Sequence, residues 1–277
     1  MFDHILCPVD FSEASSHAIR FAVALARLER AALTAIHVSD GRVAAPDVAA
    51  LFDPGTLAGV CVREGHTAAE ILREASTLPA DAIVMGTHGA GGFEHLILGS
   101  VAEKVLRKAT CPVFTVPPTS QFTAEAPFKK LVCAFDFSEW SCAALDEACA
   151  IARESHGTVT AVHVIEWPWN ESATAHMEGI PEEQARALAE YRRYLETTAR
   201  SRLDQTVAEI ASDRCRVEAR VVHGKPYAEV LCTVERLRAD LIVLGVHGRS
   251  SLDVFFFGST THQVVRRAPC PVLTLRH

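Results

Sequence analysis

The chain contains two copies of one pattern. Residues 5–26 read ILCPVDFSEASSHAIRFAVALA, and residues 131–152 read LVCAFDFSEWSCAALDEACAIA, an offset of 126. Farther along, Gly99 corresponds to Gly258, and the offset has grown to 159 because the second copy carries 33 extra residues. Such a tandem duplication constrains the chain to fold as two similar units.

Each repeat alternates short apolar runs with helical patterns. In the first repeat the strands are expected in HILCPV, LTAIHV, VCVREG, DAIVMG and CPVFTV, with helices over 15–30, 68–78 and 100–108. Strands that alternate with helices of this length predict parallel βαβ units. The predicted fold class is therefore α/β, with two tandem doubly wound domains.

The second repeat carries an additional long helical pattern over 181–211, with Pro181 placed like a first helical residue. Its apolar stripe is expected to face the core and consists of Leu188, Tyr191, Leu195, Leu203 and Ile210. The first repeat has only PDVAALFD, about two turns, in the same place, so it is predicted to lack one covering helix.

The predicted domain boundaries follow the repeats. The first domain is expected over 1–118 and the second over 129–277, joined by a polar, proline-bearing linker over 119–128. The last strands, VFTV and VLTL, would otherwise remain open sheet edges. We therefore expect the two repeats to pack as an internal pseudo-dimer through these strands.

Composition excludes several function classes. The formal charge is −7, and both repeats are net acidic, which does not suit binding to a nucleic-acid backbone. No apolar run reaches the length of a membrane span, and the beginning MFDHILCPVD does not resemble a signal peptide. Nine scattered cysteines, an odd number, favour free thiols in a reducing cytoplasm.

A glycine motif follows the fourth predicted strand of each repeat. The spacing Gly-x2-Gly-x9-Gly-Ser is formed by Gly86, Gly89, Gly99 and Ser100, and again by Gly245, Gly248, Gly258 and Ser259. Glycine lets the backbone approach an anion closely, and the last glycine of each motif opens a helix whose N–H groups favour negative charge. The motif therefore predicts phosphate binding at the carboxyl ends of the strands.

Both repeats resemble the universal stress protein family in this motif, in the first-strand aspartate and in the closing Cys-Pro-Val strand. The resemblance implies a Rossmann-like fold of the adenine nucleotide alpha-hydrolase type, with five parallel strands in the order 3-2-1-4-5 and ATP bound across the switch in strand order. It implies that Asp10 and Asp136 contact the ribose and that Val38 and Val164 meet the adenine through their backbone. The phosphates would lie on Gly86, Gly89, Gly99, Ser100 and Val101 in the first repeat, and on Gly245, Gly248, Gly258, Ser259 and Thr260 in the second.

The two implied sites differ. Family members often have a basic residue after the second motif glycine; the second repeat keeps Arg249, whereas the first has Ala90. We therefore expect the second repeat to hold ATP, with or without Mg²⁺, and the first to be weaker, empty or occupied by another adenine nucleotide.

Plainer interpretations of these residues remain open. The motif glycines can serve turn geometry alone, and Asp10 and Asp136 can be N-cap or Asx-turn residues ahead of their helices. His88 and His247 are interpreted as turn residues rather than bases. The run Phe255 to Phe257 fits either a cover over the nucleotide or a subunit contact, and no cysteine spacing typical of a zinc site occurs.

Three functions are consistent with the sequence. The first is a nucleotide-binding regulatory protein of the stress response, expected to form a homodimer. The second is an adaptor in which the motifs are only structural. The third is a slow ATPase, although the P-loop lysine is absent and no catalytic residue can be named.

Overall fold

The computed structural model describes residues 2–39, 47–87, 98–120, 128–166, 181–211, 215–246 and 258–276. The first repeat contains β1 (His4–Pro8), α1 (Glu13–Glu29), β2 (Ala32–Ser39), a short 3₁₀ helix (Ala49–Leu51), β3 (Gly59–Glu64), α2 (Thr67–Thr77), β4 (Ala82–Gly86), α3 (Ser100–Lys108) and β5 (Val113–Val116). The second contains β6 (Lys130–Ala134), α4 (Glu139–Ser155), β7 (Thr158–Ile165), α5 (Glu182–Ala211), β8 (Arg216–His223), α6 (Pro226–Leu237), β9 (Leu241–Gly245), α7 (Ser259–Arg267) and β10 (Val272–Leu275).

All ten strands form one sheet, in the order β3-β2-β1-β4-β5-β10-β9-β6-β7-β8. Within each half the strands are parallel and follow the predicted order 3-2-1-4-5. The halves meet where β5 and β10 pair antiparallel, with Leu273 opposite Phe114. The α/β fold and the pairing of the last strands are thus confirmed, and the two expected five-stranded sheets are one continuous sheet.

The first helix of each repeat begins in the same way. The Ser12 hydroxyl caps α1 by accepting the Ser15 N–H at 3.1 Å, and Ser138 caps α4 through Ser141 at 3.2 Å. Such a cap satisfies one of the N–H groups that a helix start leaves without an intrahelical acceptor. The capping serines therefore fix where the chain turns from the end of the first strand into the helix.

Aromatic packing joins the two repeats beneath the pairing of β5 with β10. The Phe21 ring lies 5.5 Å from that of Phe114 and 5.6 Å from that of Phe128, and all three side chains are fully buried. Phe128 stands at the end of the predicted linker, yet it packs into the core of the first repeat. The segment after the linker is therefore anchored to both halves.

The long helix differs from the prediction in its packing. In the first repeat the described residues contain only the 3₁₀ helix at the corresponding place, so the expected loss of a covering helix is confirmed. In α5, however, only Leu203 and Ala211 are buried, and Tyr191 is 55% exposed. The expectation that Tyr191 belongs to a buried stripe was wrong, because the first part of the helix extends beyond the strand that its second part covers.

No helix in the described ranges is both long and apolar enough to cross a bilayer.

Two glycines allow helices to approach the sheet. A Cβ at Gly245 would lie 2.7 Å from the Cβ of Trp140, and one at Gly86 would lie 3.0 Å from the backbone of Ala14. We expect Gly245→Ala and Gly86→Ala to lower the free energy of unfolding by about 1–3 kcal/mol, because the helix must move away from the strand. Urea denaturation measures the change.

Gly258→Ala serves as the matched control for these variants. The nearest atom to its new Cβ is a backbone oxygen at 3.3 Å, and the φ of Gly258 is −57°, which any residue adopts. A Gly245→Ala protein as stable as Gly258→Ala would contradict the packing explanation.

A buried carboxylate makes stability depend on pH. Burial raises the pKa of Glu147 above its ordinary value of 4.5, and the charge of Glu29 raises it further. The Oε1 of Glu147 is buried without a hydrogen-bond partner. Since the folded state holds the proton more tightly than the unfolded state, stability falls as the pH rises from 4.5 through the higher folded-state pKa.

We therefore expect Glu147→Gln to melt at a higher temperature than the parent at pH 7, because it removes the buried charge. The difference should vanish below pH 4.5, where the carboxyl is protonated in both states. Thermal melts across this range test it, with Glu235→Gln, an exposed position on α6, as control. Equal melting temperatures at pH 7 would refute the assignment.

Candidate functional site

The candidate sites lie where the strand order reverses. In the first repeat β1 pairs with β2 on one side and with β4 on the other, and in the second repeat β6 pairs with β7 and β9. The loops that follow these strands diverge to opposite faces of an open sheet. Ligands of such folds bind in the crevice at this point, outside the carboxyl ends of the strands.

The predicted aspartates form turns beside this crevice. The Oδ1 of Asp10 accepts the Ser12 N–H at 3.0 Å and the Ser12 hydroxyl at 2.6 Å. Asp136 makes the same two bonds to Ser138, at 3.0 and 2.5 Å. Both residues are therefore Asx-turn residues, and the capping role belongs to the serines. These bonds engage one carboxylate oxygen, Oδ1, in each repeat.

An aromatic pair that the sequence analysis missed ties the second strand to the same loop. Phe11 and Phe137 both have a φ of 64°, which is uncommon for a residue other than glycine. The Phe11 ring packs on His37, with centroids 5.1 Å apart. The Nδ1 of His37 donates to the Val9 carbonyl at 2.8 Å. The signal was present in the sequence, because these residues recur in both repeats at the common offset.

The second repeat repeats this arrangement and adds a cation. Phe137 packs on His163 at 4.5 Å, and the guanidinium of Arg202 from α5 lies 4.3 Å above the Phe137 ring. Burial raises the pKa of Cys142; the charge of Asp136 raises it further and that of Arg202 opposes this. The charges of Asp136 and Arg202 therefore both act on the Cys142 thiol. The first repeat has no covering helix to supply such a residue in its described part.

Val38 and Val164 stand at the ends of their strands, as predicted. The pairing of β1 with β2 ends with the Val9 N–H donating to the Ile36 carbonyl at 2.8 Å. Val38 lies two residues farther on and still pairs with Arg63 of β3. The backbone of Val38 therefore extends past β1 toward the crevice, and Val164 does the same in the second repeat.

The last motif glycines begin α3 and α7. The Gly99 N–H donates to the Thr87 carbonyl at 2.8 Å, and the Gly258 N–H donates to the Val246 carbonyl at 3.1 Å. Unlike α1 and α4, neither helix has a side chain that caps its N-terminus. Ser100, and likewise Ser259, is the exposed first helical residue. Helix geometry leaves the first N–H groups without intrahelical acceptors, and such groups bind anions.

The residues after these serines differ between the repeats. Val101 lines a groove of about 400 Å³ between α2 and α3, together with Ala68, Leu72, Lys104 and Lys108. Thr260 is the corresponding residue of α7, and it is partly buried. Val101 was expected at the phosphates, and its place in the structure adds this groove to the candidate site.

The corresponding place in the second repeat carries larger side chains. Tyr227 stands where the first repeat has Ala68, and Arg267 stands where it has Lys108. The Arg267 guanidinium lies 5.3 Å from the Tyr227 ring centroid. The side chains at this place therefore differ between the two repeats.

Several predicted residues lie outside the described ranges. They are the central motif glycines Gly89 and Gly248, the basic residue Arg249, the motif histidines His88 and His247, and the aromatic run Phe255 to Phe257.

The described ranges contain no second metal centre, and two of their buried thiols are unreactive. No group of three or more His, Cys, Asp or Glu residues is arranged there to hold a metal ion. Burial raises the pKa of Cys7 and of Cys270 to about 12, so both thiols stay protonated and unreactive at neutral pH.

Comparison with known proteins identifies the family. The sequence profile of the universal stress protein family matches residues 1–59, 47–117 and 127–276. A universal stress protein of Mycolicibacterium smegmatis is 27% identical over 300 residues, which span 98% of this chain and 96% of that protein. The universal stress protein YxiE of Bacillus subtilis is 28% identical over 151 residues, 54% of this chain and 99% of that protein.

The fold is shared over the full double repeat. The crystal structure of a universal stress protein from Archaeoglobus fulgidus superposes with a TM-score of 0.67 at 22% sequence identity, covering 98% of this chain and 97% of that one. The family profile covers both repeats of the sequence. The chain therefore belongs to the universal stress protein family.

Proposed function

We propose that this protein binds ATP, or a related adenine nucleotide, as a regulatory protein of the stress response. The observation that carries the proposal is the pair of helix N-termini without side-chain caps, α3 and α7, which start at the switch in strand order of each half. A phosphate there would accept hydrogen bonds from the first N–H groups of the helix, which α1 and α4 at the same crevices satisfy in part with serine. Asp10 and Asp136 stand beside the same crevices, after the first strand of each repeat.

The second repeat is the stronger candidate site. Arg202 brings a positive charge to the loop that contains Asp136, and the first repeat lacks a corresponding helix among its described residues. A guanidinium attracts a polyphosphate and stacks on aromatic rings, which lysine does less well. We propose that ATP occupies the second site at lower concentration than the first, with or without Mg²⁺.

The adaptor function remains the competing proposal, and specific contacts favour it. Asp10 and Asp136 already have a structural role in the Asx turns. Gly86 and Gly245 are already required by the close approach of α1 and α4. These aspartates and first motif glycines would therefore be needed by the fold even in a protein that binds no ligand. ATP hydrolysis, the third candidate, is supported by no contact among the described residues.

Cellular location and assembly complete the proposal. All nine cysteines are free thiols, which fits a reducing compartment, and we propose that the protein acts in the cytoplasm. We also propose that it forms a homodimer.

Titration of ATP into the nucleotide-free full chain, with and without Mg²⁺, tests nucleotide binding by the heat released. We expect micromolar affinity in the parent and in Gly99→Asp, and loss of binding in Gly258→Asp. An aspartate at that position caps α7, so stability is kept or increased, while its charge repels the phosphates.

Gly258→Asn is the matched control, because asparagine also caps a helix but carries no charge. It should weaken binding less than Gly258→Asp does. An absence of heat with ATP, ADP and AMP in the parent would overturn the proposal and leave the adaptor function.

The ribose contact has its own test. Asp136→Asn keeps the oxygen that accepts the two Ser138 bonds, so the turn and the melting temperature should be unchanged. It replaces the other carboxylate oxygen, Oδ2, by an amide NH2 that cannot accept a hydrogen bond from a ribose hydroxyl; a hydrogen bond to a charged group is worth about 1.5–3 kcal/mol, so affinity should fall by about 10- to 150-fold. Asp10→Asn should leave the stronger site unaffected. Equal affinity in Asp136→Asn and the parent would exclude this contact.

A further inference from the structure

The covering helix of the second repeat shows what the first repeat lacks. On α5, Leu203, Val207 and Ile210 pack in one cluster with Ala219 and Val221 of β8. In the first repeat Val60 and Val62 of β3 occupy the positions of Ala219 and Val221, paired with Ala35 and His37 of β2 in the same register. Among the described residues no helix covers them, and each valine is 42% exposed.

The uncovered area continues around these valines. Phe11, which packs on His37, is 37% exposed, whereas in the second repeat Arg202 of α5 lies over the corresponding Phe137. Leu51 of the 3₁₀ helix is also exposed, next to Phe52, which is buried in the core on this side of the sheet. We call Phe11, Leu51, Val60 and Val62 the open face.

The same helix α5 is longer than the strand that it covers. Its 30 residues span about 45 Å, whereas the eight residues of β8 span about 26 Å. Glu196 lies 3.5 Å from His223, the last residue of β8, so residues 182–195 extend beyond the strand. We call residues 182–195 the overhang; it is about 21 Å long.

The overhang carries exposed aromatic side chains. No residue of α5 before Leu203 is buried, and Tyr194 is 64% exposed. The exposed large hydrophobic residues of the described chain fall into two groups, namely the four of the open face and Tyr191 and Tyr194 of the overhang. Tyrosine on an exposed helix face is typical of a protein interface.

We propose that two copies of this chain form a dimer in which the overhang of each copy lies on the open face of the other. The partner's helix would then take the place that α5 holds in the second repeat. Because each copy supplies both surfaces, a two-fold axis makes the contact twice.

The area suits a reversible dimer. A helical segment about 21 Å long and about 10 Å wide covers on the order of 200–300 Å² on each side of one contact. Two contacts with two sides each bury about 1,000 Å², at the lower end of specific interfaces. This inference deepens the homodimer part of the proposed function and does not depend on nucleotide binding.

Sedimentation velocity on the full chain, from about 1 to about 100 µM, tests the dimer. We expect dimerisation in the micromolar range in the parent. Val62→Glu on the open face and Tyr194→Glu on the overhang should each weaken it at least tenfold, because each buries a charge in the contact. Ala69→Glu, an exposed position of α2 on the other face of the sheet, is the matched control and should have no effect.

A mixture of the two variants makes the test specific. Val62→Glu keeps a native overhang and Tyr194→Glu keeps a native open face, so a mixed dimer retains one of its two contacts. We expect the mixture to associate more strongly than either variant alone and less strongly than the parent. Far-ultraviolet circular dichroism spectra and melting temperatures close to those of the parent confirm that both variants are folded.

The outcomes separate this inference from nucleotide binding. Gly258→Asp, which is expected to lose ATP, should dimerise like the parent. A chain that stays monomeric at about 100 µM would overturn the inference, and would leave the open face to a different protein. A dimer that neither Val62→Glu nor Tyr194→Glu weakens would overturn it as well.

Discussion

The antiparallel pairing of β5 with β10 determines the rest of the architecture. Either strand alone would be an open sheet edge that invites association with other chains. Their pairing joins two parallel half-sheets into one, and it brings Phe21, Phe114 and Phe128 into a common core. Because the two halves run in opposite directions, their carboxyl edges point to opposite ends of the sheet. The two candidate sites are therefore far apart, and each depends on its own loops.

The two halves share the turn after their first strand and the start of their first helix, but they differ in what covers their third strand. The turn at Asp10 recurs at Asp136 with nearly the same bond lengths, and both first helices begin with a serine cap. The segment that forms α5 is present in the second half only. It covers β8 and brings Arg202 to the second crevice, while the corresponding surface of the first repeat stays open. The presence of α5 in one half thus accounts both for the additional positive charge at the second crevice and for the exposed apolar face of the first repeat.

The sequence was most informative where burial leaves few alternatives. Apolar runs between helices predicted the strands, because a parallel sheet covered on both faces needs such runs, whereas the order of the strands was implied by the family resemblance. It was least informative where contacts across the fold decide. The turn roles of Asp10 and Asp136 depend on side-chain geometry, and the exposure of Tyr191 depends on the length of β8. A helical periodicity shows which side chains share a face, but not how far a neighbouring strand extends beneath that face.

At each crevice one helix start has a side-chain cap and the other has none, and this contrast supports the proposed anion site. Serine caps satisfy α1 and α4, and each is held by the aspartate before it. At α3 and α7 a glycine stands in the capping position, and replacing serine by glycine there costs a helix only a few tenths of a kcal/mol. The choice between glycine and a capping serine at these two positions therefore changes the stability of the helix very little. That both repeats combine a capped helix with an uncapped one at the same crevice is accounted for if the uncapped N–H groups have a partner from outside the chain.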